Sequence, residues 1–245
     1  MRLEVEYDKS SFVIEIDDQF SHAIHNKIPF TTNLNVWKEE IYFLTPIDID
    51  VSGLCSYLKA KPGGLYYWPD ERGFCIFYGI SQPYSFVYPL GSYVGVLDDL
   101  RRIKDGVEAN VKLHKIYEPY SDIVSKIEPL GFKVSTPMRD GERIIETVKN
   151  IEGERVAFRI YVESGLHIEG EPIFPRDYNP LTLRFIDKVK KLVDGSKYAR
   201  LDLSEDEWIT ITGFISRDPD KIQEAISEMS RVYCEIIRRL LTDQI

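Results

Sequence analysis

His167-Ile168-Glu169 is the triplet in this chain that comes nearest to a catalytic signature. Spaced H-x-E, it matches the first part of the zinc-deaminase motif, in which the glutamate moves protons beside a metal-bound water. The required P-C-x-x-C is missing, and on a strand the triplet simply puts His167 and Glu169 on one face. His22 and His25, three apart on a short helix, could share a metal, but the sequence brings no third ligand near them. No metal and no cofactor is expected. Two carboxylate pairs, Asp48 with Asp50 and Glu169 with Glu171, alternate as strand residues do and could exchange a proton. Solvated strand faces produce the same spacing. Ser164-Gly165 lacks the leading glycine of a nucleophile elbow, and Gly63-Gly64 lacks the lysine and hydroxyl residue of a phosphate loop. Cys75 lies in an apolar run and Cys234 beside Tyr233, where cysteine behaves as a small hydrophobe. No catalytic constellation stands out, so whether the chain is an enzyme stays open.

The elements that would position these residues change character near Lys115. Before it, Leu3, Val5 and Tyr7 alternate, and Phe12 to Ile16 follow a polar turn, which predicts a hairpin. Short helices are expected after Asp17-Asp18, ended by Pro29, and over Asp98 to Lys104. Glu40–Thr45, Gly73–Tyr78 and Val107–Leu113 read as strands, and Lys61-Pro62-Gly63-Gly64 as a turn. Many short strands with two short helices favour a closed barrel.

The boundary falls between His114 and Pro119, giving domains 1–115 and 116–245. The second part predicts α-βββ-α-ββ-α. A helix over 120–130 stops at Gly131, and strands follow around 143–149, 154–163 and 165–169. Asn179-Pro180 starts a helix, with asparagine capping the free N–H groups and proline at the first position losing none. Leu183, Ile186, Val189, Leu192 and Val193 line its buried face. A hairpin spans 198–215, and Asp218-Pro219 opens a final amphipathic helix lined by Ile222, Ile226, Met229, Tyr233 and Ile236. This order of elements resembles type III secretion chaperones and related protein-binding domains, which would make the second domain chaperone-like or a dimerisation unit.

The 245 residues carry 31 Lys and Arg against 40 Asp and Glu, a net charge of −9. Without a basic cluster the chain makes a poor nucleic-acid binder. It has no apolar run of membrane length, and its start does not read as a signal peptide. Three scattered cysteines suit a reducing cytoplasm. Charged residues at 29% with few Asn and Gln hint at a thermophile.

Five blocks stand in order between Lys27 and Lys112: Ile28-Pro29-Phe30, Asn35 to Phe43, Gly64 to Pro69, Phe74 to Gly79, and Gly95-Val96-Leu97 leading into Asp98 to Ile103. In this order they resemble the cyclophilin-like family of small bacterial and archaeal proteins, most of unknown function. The resemblance implies a β-barrel of about eight strands with two helices, followed here by the α+β domain. Cyclophilins proper twist Xaa-Pro amides with an arginine on a Phe-His-Arg-Val-Ile-Pro strand. The matching strand here, Glu40-Ile41-Tyr42-Phe43-Leu44-Thr45-Pro46, has neither arginine nor histidine, and that route to lowering the amide barrier loses its main group.

What the resemblance leaves is a pocket wall of Asn35, Trp37, Glu40, Tyr42, Phe43, Tyr67, Trp68, Phe77 and Tyr88. Aromatic walls with a few polar groups suit a small molecule or a peptide. A small barrel must also fill its interior, so Phe43, Trp68 and Phe77 could be core, whereas Trp37 and Glu40 fit a surface cleft better. The leading expectation is a non-catalytic ligand- or peptide-binding module whose α+β domain serves association, with a homodimer possible. The alternatives are a divergent peptidyl-prolyl isomerase, and a hydrolase or transferase with its site between the domains.

Overall fold

The computed structural model describes residues 1–204 and 206–242. The chain divides into two compact units, Met1–Ile116 with Ser135–Arg143, and Tyr117–Val134 with Ile144–Ile245.

In the first unit, alternation of apolar and polar residues builds β1 (Arg2–Tyr7) and β2 (Ser10–Ile16) as a hairpin, with Leu3 opposite Ile14 and Val5 opposite Phe12. Then come α1 (Ser21–His25), β3 (Phe30–Trp37), β4 (Glu40–Leu44), β5 (Gly64–Trp68), β6 (Gly73–Phe77), β7 (Tyr88–Tyr93) and β8 (Val107–Leu113). The eight strands close in the order β1-β2-β7-β5-β6-β4-β3-β8. Closure removes the exposed edges a sheet would otherwise present. Phe43, Tyr67, Phe74, Ile41, Leu65, Ile76 and Leu90 fill the interior, each buried. The barrel therefore encloses packed side chains, not a hollow. Gly91 lets β7 run close to β2, because a Cβ there would lie 1.9 Å from the Glu15 carbonyl oxygen.

The two expected helices are shorter and tighter than the sequence suggests. A 3₁₀ turn at Asp18–Phe20 leads into α1, and Leu97–Arg102 is wholly 3₁₀. Residues 45–63 form no regular strand. Asp48 and Asp50 lie there, so the strand alternation expected of them is absent. Asp50 instead accepts the Ser52 backbone N–H at 2.9 Å in a local turn.

The rest of the chain holds α2 (Ser121–Ile127), β9 (Lys133–Ser135), a two-stranded ribbon of β10 (Met138–Arg139) and β11 (Glu142–Arg143), β12 (Ile145–Ile151), β13 (Glu154–Val162), β14 (Leu166–Gly170), β15 (Phe174–Pro175), α3 (Pro180–Val193), β16 (Arg200–Leu203), β17 (Trp208–Ile215) and α4 (Pro219–Thr242). The main sheet runs β15-β17-β14-β13-β12-β9, and β16 also pairs with β17. Strands β12 to β14 are the three the pattern predicts. β9 and β15, three and two residues long, are too short to show a period. Asn179 caps α3 by accepting the Leu181 and Thr182 N–H groups at 2.9 and 3.0 Å. The buried face of α3 is Thr182, Val189 and Val193, whereas Leu183, expected to be buried, is 48% exposed. The apolar face of α4 packs on α2, α3, β13 and β17 within its own unit. Among the described residues no helix is long and apolar enough to cross a membrane.

The ribbon segment Ser135–Arg143 belongs to the barrel unit, and its anchor is a buried acid. Glu4, on β1, accepts Ser11 Oγ–H at 2.8 Å and Arg143 Nη1–H at 2.6 Å. His114 Nδ1 lies 3.5 Å from the other carboxylate oxygen, and its Nε2 accepts the Thr136 N–H at 3.3 Å. Those partners fix the tautomer with the proton on Nδ1, donated to Glu4. Burial alone would raise the Glu4 pKa, but the hydrogen bonds from His114 and Ser11 and the charge of Arg143 outweigh it and hold it at about 2.

Candidate functional site

The strand alternation that sends Ile41 and Phe43 into the barrel sends Glu40 and Tyr42 to its outer wall. On β6 the inner residues are Phe74 and Ile76, which leaves Cys75 outside, directly across the ladder from Tyr42. Trp68 ends β5 beside them, with its ring edge-on to Tyr42 at 6.3 Å between centroids. Trp37 closes β3 opposite Glu40 across the Lys38-Glu39 turn. Together with Pro83, Tyr84, Ser85 and Val87 from the β6–β7 loop, these residues line a cleft of about 300 Å³. That is the lower end of the range of ligand pockets.

The loop forming the far side is tied down along its length. Ile80 N–H donates to Glu39 Oε2 at 2.6 Å, Ala60 N–H to Gln82 Oε1 at 2.9 Å, and Val87 pairs with Tyr57 through both backbone bonds. Asp70 Oδ2 accepts from Trp68 Nε1 at 3.3 Å and from Ser85 Oγ at 3.5 Å, joining one wall to the other. A Cβ at Gly79 would fall 2.2 Å from the Glu39 carboxyl carbon, so a side chain there would push the carboxylate off the Ile80 N–H. A cleft held this way loses little freedom when a ligand enters.

At its base Glu40 is only 6% exposed. Burial raises its pKa, and a hydrogen bond from the Cys75 thiol lowers it in part. Burial and the neighbouring Glu40 charge push the Cys75 thiol well up. The sulfur therefore keeps its proton and is no nucleophile. Among the described residues no ion pair to Glu40 forms. The Lys38 ammonium sits 4.3 Å from the Trp37 ring centroid instead.

Residues 1–112 match the family described as cyclophilin-like. The barrel is cyclophilin-like. The chain is similar to the hypothetical protein AF2241 from Archaeoglobus fulgidus, known from a solution structure, at 24% identity over 46% of this chain and 93% of that one, with a TM-score of 0.39. It is also similar to McbB, solved in complex with tryptophan, at 14% identity over 52% of this chain and 53% of that one, with a TM-score of 0.37. No curated protein matches the chain.

Of the residues expected to line a pocket of the cyclophilin-like barrel, Trp37, Glu40, Tyr42 and Trp68 come together in the cleft. Phe43 and Tyr67 point the other way and are interior core, and Tyr88 packs against that same core. Phe77 is fully buried beside Tyr66 beneath the outer wall. Asn35 lies on β3, its amide 3.5 Å from the Tyr42 carbonyl. Sequence reasoning missed Cys75, Pro83, Tyr84, Ser85 and Val87. The parity of β6 marks Cys75 as outward, but only the ladder register sets it beside Glu40.

The other candidates for chemistry are dispersed. His22 and His25 are both exposed on α1. His167 stacks on Tyr161 at 6.1 Å, and Glu169 is held by Arg159 at 2.5 Å. Glu171 is paired with Arg155 at 2.5 Å. Each carboxylate of that pair is thus held by an arginine.

Proposed function

We propose that this chain is a non-catalytic binding module and that its ligand enters the aromatic cleft on the outer wall of the barrel. The observation that carries this reading is a buried carboxylate, Glu40, at the base of a pre-formed cleft walled by Trp37, Tyr42 and Trp68. Aromatic walls with one oriented polar group are what recognition of a small ligand needs. Chemistry would need more: a nucleophile, an acid–base partner at hydrogen-bond range, or a donor for developing charge. Cys75 stays protonated, and neither arginine nor histidine is among the lining residues. The same lack weighs against a divergent prolyl isomerase.

The second unit serves association in this proposal, and the module works in the cytoplasm with thiols reduced. The apolar face of α4, which a second copy of the chain would otherwise have to cover, is covered within its own unit.

A thermal-shift screen of the full chain against small metabolites and short peptides tests the reading. A ligand that binds only the folded state raises Tm, and Trp68→Ala should abolish the rise. A ligand whose stabilisation survives Trp68→Ala and Trp37→Ala would place binding elsewhere.

A further inference from the structure

We propose that the cleft selects an organic cation: a protonated amine on a flat apolar body small enough for the space between Trp37, Tyr42 and Trp68. This deepens the binding reading above and rests on it.

The argument starts from Glu40. An ionised carboxylate taken out of water is costly unless a counter-charge or several strong donors replace the lost hydration. Among the described residues Glu40 has one side-chain donor, the Cys75 thiol, and a thiol is a weak one. The residues lining the cleft include no Lys, Arg or His. Lys38, two residues before Glu40, lies over Trp37 and forms no ion pair with Glu40 among the described residues. An anionic ligand would be repelled by Glu40. A neutral one would displace water and leave the carboxylate less solvated than before. A cation removes that penalty.

The walls favour the same charge. Aromatic rings present a negative face, and an ammonium within about 6 Å of a ring centroid gains about 0.5–2 kcal/mol, more as water is excluded. Lys38 at 4.3 Å shows the Trp37 indole already serving as such a platform. The indole N–H of Trp68 is engaged by Asp70, which adds negative charge at the lip. A carboxylate base with aromatic walls is thus complementary in charge and in shape to an arylalkylamine-sized ligand.

The test uses three one-ring probes that differ in charge: tyramine, 4-ethylphenol and 3-(4-hydroxyphenyl)propionate. Each is titrated calorimetrically into the full chain at pH 8. Tyramine should bind more than about tenfold tighter than 4-ethylphenol, with no detectable heat for the propionate. Glu40→Gln should erase the preference for tyramine over 4-ethylphenol. Equal binding of tyramine and 4-ethylphenol, both lost in Trp68→Ala, would overturn the cation assignment and leave the binding cleft standing. Failure of all three probes to bind would overturn the assignment too, and the metabolite screen then decides the wider reading separately. A lysine-containing peptide binding where tyramine does not would overturn the small-molecule class.

Discussion

Glu40 and Cys75 face each other diagonally across β4 and β6 on the outer wall of the barrel, and the thiol donates to the carboxylate. Burial disfavours both charges; Glu40 adds its own against the thiolate, while the thiol's hydrogen bond offsets part of the burial effect on the acid. The pair is therefore a protonated sulfur beside an acid with a raised pKa.

Replacing that acid should stabilise the free protein at neutral pH. A carboxyl whose folded pKa lies above its unfolded value supports folding while protonated, and that support is lost as pH rises through the folded pKa. Glu40→Gln removes the buried charge, so Tm at pH 7–8 should rise by about 2–4 °C. The gain should shrink toward zero as pH falls and the native Glu40 protonates. A melting series from pH 4 to 8 checks this; a drop in Tm at pH 8 would contradict it.

Glu4 has the opposite sign. Its pKa is held at about 2, against the ordinary 4.5. The stability this contributes is present above the ordinary value and is lost as pH falls toward 2. At about 1.4 kcal/mol per tenfold change it amounts to about 3 kcal/mol at neutral pH. Glu4→Gln should lower stability by that order at pH 7, measured by denaturant unfolding, and should flatten the acid limb of the stability curve. Arg143→Ala, which leaves the acid buried without its guanidinium, should cost about 3–5 kcal/mol.

Thiol accessibility gives a direct count. Cys55 is exposed, while Cys75 and Cys234 are buried, and burial raises the pKa of both of the latter. A colorimetric thiol reagent should titrate one cysteine in the native protein and all three after denaturation. Rapid native labelling of Cys75 would mean that the base of the cleft is open and its thiolate accessible.

Gly91→Ala should be far more damaging than its one added carbon suggests. The new Cβ would meet the Glu15 carbonyl oxygen at 1.9 Å, backbone against backbone, so no side chain can yield. The cost should exceed the about 1–3 kcal/mol of ordinary overpacking. Circular dichroism would show loss of the cooperative thermal transition.

On an Xaa-Pro peptide the protein should give only the uncatalysed isomerisation rate. A rate above background that Trp37→Ala abolishes would restore the isomerase reading.

The β1–β2 hairpin, β4 and β8 are legible because each keeps one apolar side, β6 because it is a short apolar run buried on both sides, and α2, α3 and α4 through their caps and stops. β3 and β7 were hidden: Thr31-Thr32-Asn33 blurs the alternation of one, and Pro89 and Gly91 interrupt the other. Half of the cleft could be read for the same reason. Glu40 and Tyr42 share one parity on β4, and Phe43 takes the other, which sends it inward. Tyr67 faces the same interior from β5. The Glu40–Cys75 pair needs strand register, and the Glu4–Arg143 pair links residues 139 apart, so neither leaves a local trace. Leu183 was misplaced because periodicity defines an apolar stripe but not which edge of it stays covered.

The nine residues Ser135–Arg143 give the barrel a border that a linear cut cannot follow. A fragment ended at Ile116 keeps Glu4, Ser11 and His114 but forfeits Arg143, Thr136 and Met138, whose groups meet them at 2.6–3.3 Å. Such a fragment inherits an acid built for a counter-ion it no longer owns. Transplanting this barrel onto another protein, in the laboratory or by recombination, would require carrying a distant strip of the gene along or rewriting residue 4.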